Sequence, residues 1–338
     1  MTERLSFSID AALRRRFTVT DEPVRANFRV GLMLEVLDKL AENTALRYVR
    51  VFDAEARVVT AAMDDLDVRN APEIDRDIAL HARINCFGTT SMEVGVRVEQ
   101  DDVHIASCYF TMVARKHDRS LPVPPLEYVA EQDQRRRQRA TERRNAHRNS
   151  SHALQPTMAE FTKLHELHRA LESSEGLPLL AKDQVTNGWE RTYPEYENVP
   201  QTIFGGFVTH RAYMYAHLGA ELVADRRALL VSSSRIDFYQ AVRMGDKLHF
   251  VSQVTYTSRT SLTVGTSITC ISRDRRMTAL SNNCVFTFVN VDADLNLVPV
   301  TQVFPATYTE DARYLAALRR HQRRTAHISA SGSIAQPD

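Results

Sequence analysis

A pair of adjacent glycines, Gly205 and Gly206, is the stretch of this sequence most suited to chemistry. They open an apolar run that continues to about Val223 and predicts a helix. Glycines at the start of a helix leave backbone N–H groups open to an incoming oxygen atom, because no Cβ covers them, and the helix dipole favours negative charge there. The arrangement suits stabilisation of an oxyanion. A tightly packed helix start without chemistry is the alternative.

A carboxylate at Asp38 is the second group suited to chemistry. Residues 28 to about 46 predict an amphipathic helix, whose apolar stripe consists of Val30, Met33, Leu34, Leu37, Leu40 and Ala41. Asp38 falls on the shoulder of that stripe, beside Leu34 and Ala41. A carboxylate in this position either reaches water at the rim of the helix or faces a cleft.

Both helices are followed by segments typical of antiparallel strands. The predicted strands are 50–53, 58–63, 78–85, 91–98 and 106–114 after the first helix, and 228–238, 247–256, 261–271 and 283–291 after the second. Ala212, Ala216 and Gly219 recur at spacings of four and three, so we expect the second helix to lie close against its strands. The order of a helix followed by a meander of strands therefore occurs twice.

Three sequence anchors indicate an internal duplication. Gly31 corresponds to Gly206 at an offset of 175 residues, and 90–92 corresponds to 260–262 at an offset of 170. The segment CYFTMV at 108–113 corresponds to CVFTFV at 284–289 at an offset of 176. Because the order is kept and the offset is nearly constant, we predict a two-lobed chain.

The duplication and the composition set the expected domain boundaries. We expect an N-terminal domain at 1–118, a linker at 119–183, a C-terminal domain at 184–310, and a C-terminal helix with a disordered tail at 311–338. The linker holds a Pro-rich stretch at 121–126 and predicted helices at 131–150 and 158–171, the first of them strongly basic. The small, polar tail is expected to be disordered from about Thr325.

The bulk composition argues against several classes of protein. A formal net charge of +1 gives no global basic excess for nucleic acid or a membrane surface. The basic segment at 131–150 lacks aromatic residues on which RNA bases could stack. No apolar run is long enough to span a bilayer, and the N-terminus is a poor secretory signal, so we expect an intracellular protein. Reduced, buried thiols without a metal site are expected at Cys86, Cys108, Cys270 and Cys284.

Six short stretches carry a resemblance that covers about residues 10 to 315. They are FRVGLMLEVLD at 28–38, TTSMEV at 89–94, FTMVAR at 110–115, PVPPL at 122–126, IFGGF at 203–207 and VFPATY at 303–308. Together and in this order they resemble the hotdog acyl-CoA thioesterases, most of all the type 9 acyl-coenzyme A thioesterases, which are often mitochondrial. The resemblance implies an α+β fold of two tandem hotdog domains, each a long helix wrapped by an antiparallel sheet, forming an intrachain pseudo-dimer.

The resemblance also implies a site shared between the two halves. Members of that family carry an Asn seven residues before the first glycine of the loop and an acid seven residues after the second, contributed by opposite domains. In the second half this spacing reaches Asn198, but Tyr213 stands in place of the acid. In the first half it reaches Asp38, but Pro23 stands in place of the Asn. We therefore expect one complete composite site, Asn198 with Asp38, and one dead site.

The reaction implied by the resemblance is thioester hydrolysis. The N–H of Gly206, or of its neighbour Gly205, would hold the oxyanion. Asp38 would act as a general base on water or attack directly to form an anhydride, and the sequence does not separate these routes. The amide of Asn198 would orient the water or the carbonyl. Without the resemblance, Asn198 reads as a turn residue and Asp38 as a solvated helix acid. No cofactor is implied.

Contacts to coenzyme A are implied in the linker and at strand edges. Arg143 and Arg144 resemble the family stretch whose basic residues touch the nucleotide, and arginines bind phosphate bidentately. A solvated charged helix is the alternative for both. The strand-edge contacts carried over are Ala61, Ala62, Met63, Thr90, Ser91, Met92, Val231, Ser232 and Ser233. Without the resemblance, Ser and Thr in strands are ordinary surface residues.

Two other functions stay open on the sequence. A hotdog hydratase or dehydratase needs a paired acid and histidine; His210 follows Gly206 by four residues, but no acid precedes it at a suitable spacing. A non-catalytic acyl-CoA-binding protein would also suit a half-degenerate repeat. The resemblance implies an acyl-CoA substrate, a homo-oligomer that is a trimer of two-lobed chains, and a mitochondrial or cytoplasmic location.

Overall fold

The structure is a computed structural model that describes residues 1–117, 119–150, 155–174, 176–199 and 202–331. The side chains at 146–150, 198–199 and 327–331 lie outside this description. The first half contains β1 (Thr2–Leu5), α1 (Ala11–Phe17), α2 (Val30–Val49), β2 (Arg57–Val68), β3 (Ile78–Phe87), β4 (Ser91–Gln100), β5 (Val103–Lys116) and β6 (Arg119–Ser120). The linker contains α3 (Glu131–Ser150), α4 (Met158–Glu172), β7 (Leu179–Leu180) and a short 3-10 turn, Ala181–Asp183.

The second half repeats the plan of the first. It contains β8 (Val185–Arg191), a 3-10 turn (Pro194–Tyr196), β9 (Glu197–Val199), β10 (Thr202–Ile203), α5 (Gly205–Glu221), β11 (Arg227–Ser233), β12 (Ile236–Asp237), β13 (Lys247–Thr257), β14 (Ser261–Ile271), β15 (Thr278–Val291), β16 (Val303–Phe304) and α6 (Tyr308–Ser331). The predicted α+β fold of two tandem hotdog domains is confirmed.

The strands of the two halves join into one twelve-stranded sheet. Its order is β1-β3-β4-β5-β2-β11-β15-β14-β13-β8, with β6 and β12 paired at its sides. The two halves meet where β2 and β11 pair antiparallel, with Ser232 opposite Asp67 and Ser233 opposite Leu66. Each half thus contributes a five-strand array in the same relative order, so the chain forms a pseudo-dimer within one continuous sheet.

The two long helices lie on one face of this sheet and contact each other. The apolar stripe of α2 is buried against β2, β3, β4 and β5, and α5 packs on β8, β11, β13, β14 and β15. Ala212 and Ala216 are fully buried, and a Cβ on Gly219 would lie 3.2 Å from the Thr186 hydroxyl on β8. The close approach of the second helix to its strands is therefore as predicted.

Three local expectations differ from the structure. The segment 50–53 is a turn and not a strand. The N–H groups of Arg50 and Phe52 donate to the carbonyls of Leu46 and Val49 at the end of α2 and are therefore not available to a sheet. The edge strand β8 was not predicted, since its alternating face is largely exposed. Helix α6 continues past Thr325 to Ser331, and residues 332–338 of the expected tail lie outside the described residues.

Candidate active site

The two long helices cross with their glycines at the contact. A Cβ on Gly206 would lie 3.0 Å from the Cα of Glu35, and a Cβ on Gly31 would overlap the ring of His210. Glu35 and His210 occupy equivalent positions of the repeat, and His210 Nδ1 lies 2.7 Å from Glu35 Oε1. Equivalent residues can touch only close to the pseudo-two-fold axis, so this pair marks the axis between two half-sites.

The first half-site brings Asp38 to the N-terminus of α5. Asp38 is 2% exposed, and the Thr60 hydroxyl on β2 donates to its Oδ1 at 2.6 Å. Its other oxygen, Oδ2, lies so close to the glycine loop that a Cβ on Gly205 would approach it to 3.2 Å. Oδ2 has no well-formed hydrogen bond to any described residue, although the Gly206 N–H faces the carboxylate. One oxygen is therefore held in place and the other stays uncommitted.

The start of α5 leaves its own donors open. Phe204 at the N-cap provides no side-chain hydrogen bond to the first turn, and the two glycines that follow carry no Cβ. Four N–H groups at a helix start lack partners within the helix. The uncapped first turn therefore presents N–H groups beside the carboxylate of Asp38.

Burial dominates the electrostatics of Asp38. The pKa of the carboxyl is raised from 3.8 to about 7; burial is the largest cause, and the neighbouring Glu42 carboxylate acts in the same direction. The Thr60 hydroxyl, the Gly206 N–H and the Lys39 ammonium each lower the pKa and offset part of the burial effect. A carboxyl with a pKa near neutrality can take up and return a proton at physiological pH.

Asp38→Asn should stabilise the fold at pH 8 and leave it nearly unchanged at pH 4. The folded pKa of about 7 exceeds the ordinary value of 3.8, so the folded state favours the protonated form. The stability gained by protonating the folded state is fully present below the unfolded pKa and is lost as the pH rises through 7. Above that pH the ionised carboxylate therefore lowers the free energy of unfolding by about 4 kcal/mol. Asn carries no charge and still accepts from Thr60. Urea unfolding at both pH values measures the difference, and a gain independent of pH would contradict this origin.

Asn198 belongs to the loop that precedes α5. Its backbone lies in β9, which pairs with β10 directly before Gly205. Its side chain lies outside the described residues, so the approach of its amide to Asp38 stays a prediction.

The second half-site has lost the polar groups of the first. Tyr213 takes the position of Asp38, and both burial and the Glu221 carboxylate raise the pKa of its hydroxyl. The strand register makes Leu230 the counterpart of Thr60, because Thr60 pairs with Met112 and Leu230 with the corresponding Phe288. A neutral phenol and an aliphatic chain offer no general base. The dead site expected from Pro23 and Tyr213 stays a prediction.

The implied strand contacts divide between the half-sites. Ala61, Ala62 and Met63 lie in β2 beside Thr60; Ala62 and Met63 are buried, and the Ala61 carbonyl accepts from the Phe238 N–H at 3.0 Å. Thr90 precedes β4, and Ser91 and Met92 begin it; Met92 pairs with Met112, whose Sδ lies 3.6 Å from the Thr60 hydroxyl. In β11, Val231 instead lines a cavity on the Tyr213 side, whereas Ser232 and Ser233 join β11 to β2.

The two linker arginines differ in their surroundings. Arg143 forms an ion pair with the buried Glu93 carboxylate, and its guanidinium lies 3.6 Å from the centroid of the Tyr109 ring. Arg144 is exposed, and its Nη2 contacts the Cys86 Sγ at 3.0 Å. Helix α3 is thus docked on the outer face of β3 and β4.

Two contacts at the site were missed by sequence reasoning. Thr60 was assigned to a strand without a role, and the Glu35 partner of His210 was not found because it comes from the other helix. Aligning the two repeats would have paired Glu35 with His210, since both follow their glycine by four residues. The Thr60 contact depends on strand register and leaves no local signal.

The cysteines, the potential metal ligands and the helices of the described residues bear on other classes of protein. All four cysteines are buried and unpaired. No cluster of three or more His, Cys, Asp or Glu side chains suited to a metal ion occurs in the described ranges. Within the same ranges, none of the helices has the length and apolar character needed to cross a membrane.

Comparison with known proteins identifies the family. The Thioesterase superfamily model matches residues 201–275. Acyl-coenzyme A thioesterase 2, chloroplastic, from Humulus lupulus is 26% identical over 92% of this chain and 77% of its own length. Acyl-coenzyme A thioesterase 9, mitochondrial, from Homo sapiens is 26% identical over 93% of this chain and 75% of its own length. The chain belongs to the double-hotdog acyl-CoA thioesterase family.

Two further matches bear on the duplicated fold. Protein VdlD of Helicobacter pylori is 31% identical over 42% of this chain and 86% of its own length, so it corresponds to about one half. A structure from Lactobacillus plantarum, provisionally assigned as an oleoyl thioesterase, superposes with a TM-score of 0.51 at 11% identity. It covers 86% of this chain and 96% of its own and supports the fold across both halves.

Membership of the acyl-CoA thioesterase family bears on the Glu35–His210 pair. The sequence argument against a hydratase relied on the absence of an acid near His210, and the structure supplies one from α2. That reasoning was therefore incomplete. The pair is nevertheless packed at the helix crossing, with His210 only 7% exposed, and the family is one of thioester hydrolases.

Proposed function

We propose that this protein hydrolyses fatty acyl-CoA to a free fatty acid and coenzyme A at one composite site. The observation that carries the proposal is the buried Asp38 carboxylate, with one oxygen uncommitted, beside the uncapped start of α5. The names of its relatives, acyl-coenzyme A thioesterases, give the substrate class. A carboxylate and open N–H groups are the two elements that thioester hydrolysis requires.

The mechanism follows from the positions of these groups. The thioester oxygen accepts from the Gly206 N–H, or from that of Gly205, where the helix dipole stabilises the charge that develops on it. Asp38 in its ionised form takes a proton from water as the water attacks, and returns it to the departing thiolate. Thr60 holds the carboxylate through Oδ1, so Oδ2 is directed to the substrate. The route through an anhydride uses the same oxygen as nucleophile.

Asn198 completes the proposed site from the loop before α5. An amide has no basic lone pair at neutral pH, so its role is to orient the water or the carbonyl. The support for this assignment is its seven-residue spacing from Gly205, together with the complementary loss of the equivalent groups, Pro23 and Tyr213, across the repeat.

Coenzyme A binding is proposed at the linker and the adjoining strand edges. Arg144 is exposed and therefore available to a phosphate, whereas Arg143 is already paired with Glu93 and acts by holding α3 on the sheet. The segments 61–63 and 90–92 lie on the Asp38 side and would line the pantetheine path through their backbones. A trimer of two-lobed chains, and a mitochondrial or cytoplasmic location, are also proposed from the family resemblance alone.

Thiol release from a panel of saturated acyl-CoAs, from acetyl to stearoyl, tests the function. We expect release to exceed the spontaneous rate by several orders of magnitude for part of the panel. The same protein is given a 2-enoyl-CoA, and loss of the enoyl absorbance without thiol release would identify a hydratase instead. Tight binding with no turnover of either substrate would identify a non-catalytic acyl-CoA-binding protein.

A further inference from the structure

A large cavity lies at the half-site that has no catalytic groups. Its volume is about 1400 Å³, above the range of roughly 300–1,000 Å³ usual for small-molecule pockets. It is bordered by the segment 19–29 before α2, by the start of α2, by one face of α5 including Tyr213, and by β11. Gly31 and His210 line it as well, so it begins at the helix crossing. It therefore occupies the position that the repeat relates to the Asp38 site.

Each polar group of the first half-site is replaced at this cavity. Tyr213 stands for Asp38, Leu230 for Thr60, and Val30 for Gly205. All three replacements line the cavity. The substitutions remove a base and its hydrogen-bond partner and add a side chain at the helix start, yet they leave the space unfilled. A half-site that had merely decayed would be expected to collapse, because empty apolar cavities destabilise a fold.

The walls of the cavity are apolar and basic groups surround them. Aliphatic side chains from α5 and from both faces of β11 line the cavity, including Leu218, Leu229 and Leu230. Arg29, Arg69, Arg227 and Arg324 also line the cavity, against the acids Glu22 and Glu221.

Arg324 is the arginine best suited to an anionic group. Arg29 donates to the Arg16 carbonyl, Arg227 donates to the carbonyls of Arg25 and Ala26, and Arg69 pairs with Asp67. The Nε of Arg324 is buried and has no hydrogen-bond partner among the described residues. Its charge is offset only partly, by Asp67, which raises its pKa while burial lowers it.

We propose that this cavity is a second, non-hydrolytic site that binds an acyl chain carrying an anionic head. The chain lies against the aliphatic wall of α5 and β11, and the head lies toward Arg324. The ligand is a free fatty acid or an intact acyl-CoA, which share this chemistry. The identification of the chain class rests on the proposed function, because the cavity is the repeat counterpart of the acyl-CoA site.

The test measures binding to the full chain in the Asp38→Asn background, in which hydrolysis is slowed, and intact palmitoyl-CoA is separated from released palmitate before each is counted. Equilibrium dialysis with labelled palmitate and labelled palmitoyl-CoA, below their micellar concentrations, gives the affinity and the number of molecules bound. Leu218→Glu introduces a charge at a half-exposed position of the cavity wall. Leu222→Glu is the matched control, four residues later at the C-cap of the same helix, 74% exposed and outside the lining.

We expect two palmitoyl-CoA molecules per chain, and at least tenfold weaker binding at one of them in Leu218→Glu but not in Leu222→Glu. Leu229→Trp, which fills the cavity without adding charge, should have the same effect as Leu218→Glu. If Leu218→Glu weakens the binding of palmitate as well, the free acid is a ligand. If it weakens only the binding of palmitoyl-CoA, the ligand is the thioester. Coenzyme A without an acyl chain should not compete for the position that Leu218→Glu weakens.

A single bound molecule per chain, or equal affinities in Leu218→Glu and Leu222→Glu, would overturn the proposal. Displacement of palmitoyl-CoA from both positions by coenzyme A, with no binding of palmitate, would also overturn it, because the acyl chain would not be the recognised group. Failure of the proposed function has a different signature: the unmodified protein would release no thiol from any acyl-CoA of the panel, while the binding measurements would stay interpretable.

Discussion

Asp38→Asn should lower kcat for acyl-CoA hydrolysis by about 10²- to 10⁴-fold, the range typical for loss of a general base. Asp38 places a carboxylate at the glycine loop in a position to take a proton, and its uncommitted Oδ2 is the atom that would do so. Asn keeps the size and the hydrogen bond from Thr60, so the loss would come from the chemistry and not from the packing.

The pH dependence provides an independent readout of the same group. Because the pKa of Asp38 is raised to about 7, the rate of the unmodified protein should rise with pH through neutrality as the base ionises. The residual activity of Asp38→Asn should not show this rise with pH.

Asp246→Asn is the matched control for this substitution. Asp246 is also buried, but its carboxylate already accepts from the N–H groups of Arg243 and Arg273, in the turn before β13. It should retain the rate of the unmodified protein. Asp38→Asn activity within about threefold of the unmodified protein would exclude Asp38 as base or nucleophile.

Gly205→Ala should lower kcat/KM by about 10- to 100-fold while the protein stays folded. The new Cβ would lie 3.2 Å from Asp38 Oδ2 and 3.1 Å from the Phe238 ring, inside the space where the thioester must lie. A displacement of about 1 Å between reacting groups can cost about 10²-fold in rate. Steady-state kinetics and thermal unfolding, measured on the same preparation, separate an effect on the site from an effect on the fold.

Gly219→Ala tests whether crowding on α5 alone has this effect. A Cβ there would also meet an oxygen at 3.2 Å, that of the Thr186 hydroxyl, but at the opposite end of the helix. Alanine should favour the helix and leave the rate unchanged. Equal losses of activity in the two variants would mean that the Gly205 effect is transmitted by helix packing and not by the site.

The sequence by itself determined the duplicated architecture and one half of the site. The 3.6-residue stripes of α2 and α5 and the alternation in β4 and β14 are local patterns, so the helices and most strands were predictable. The repeat offsets then gave the pairing of the two halves. The family spacing selected Asp38 although it lies 167 residues before Gly205, because the helices that carry both cross at equivalent points.

Only the tertiary structure decided what surrounds those groups. The Thr60 hydroxyl reaches Asp38 because β2 and α2 are packed at one particular register, and a strand pattern carries no information about that register. The pKa of Asp38 comes chiefly from burial, which is set by the whole sheet and not by neighbouring residues. The Glu35–His210 contact and the cavity beside Tyr213 arise from the same helix crossing. Each depends on side chains brought together from both halves, which is why the sequence could name the separate parts but not the environment they form.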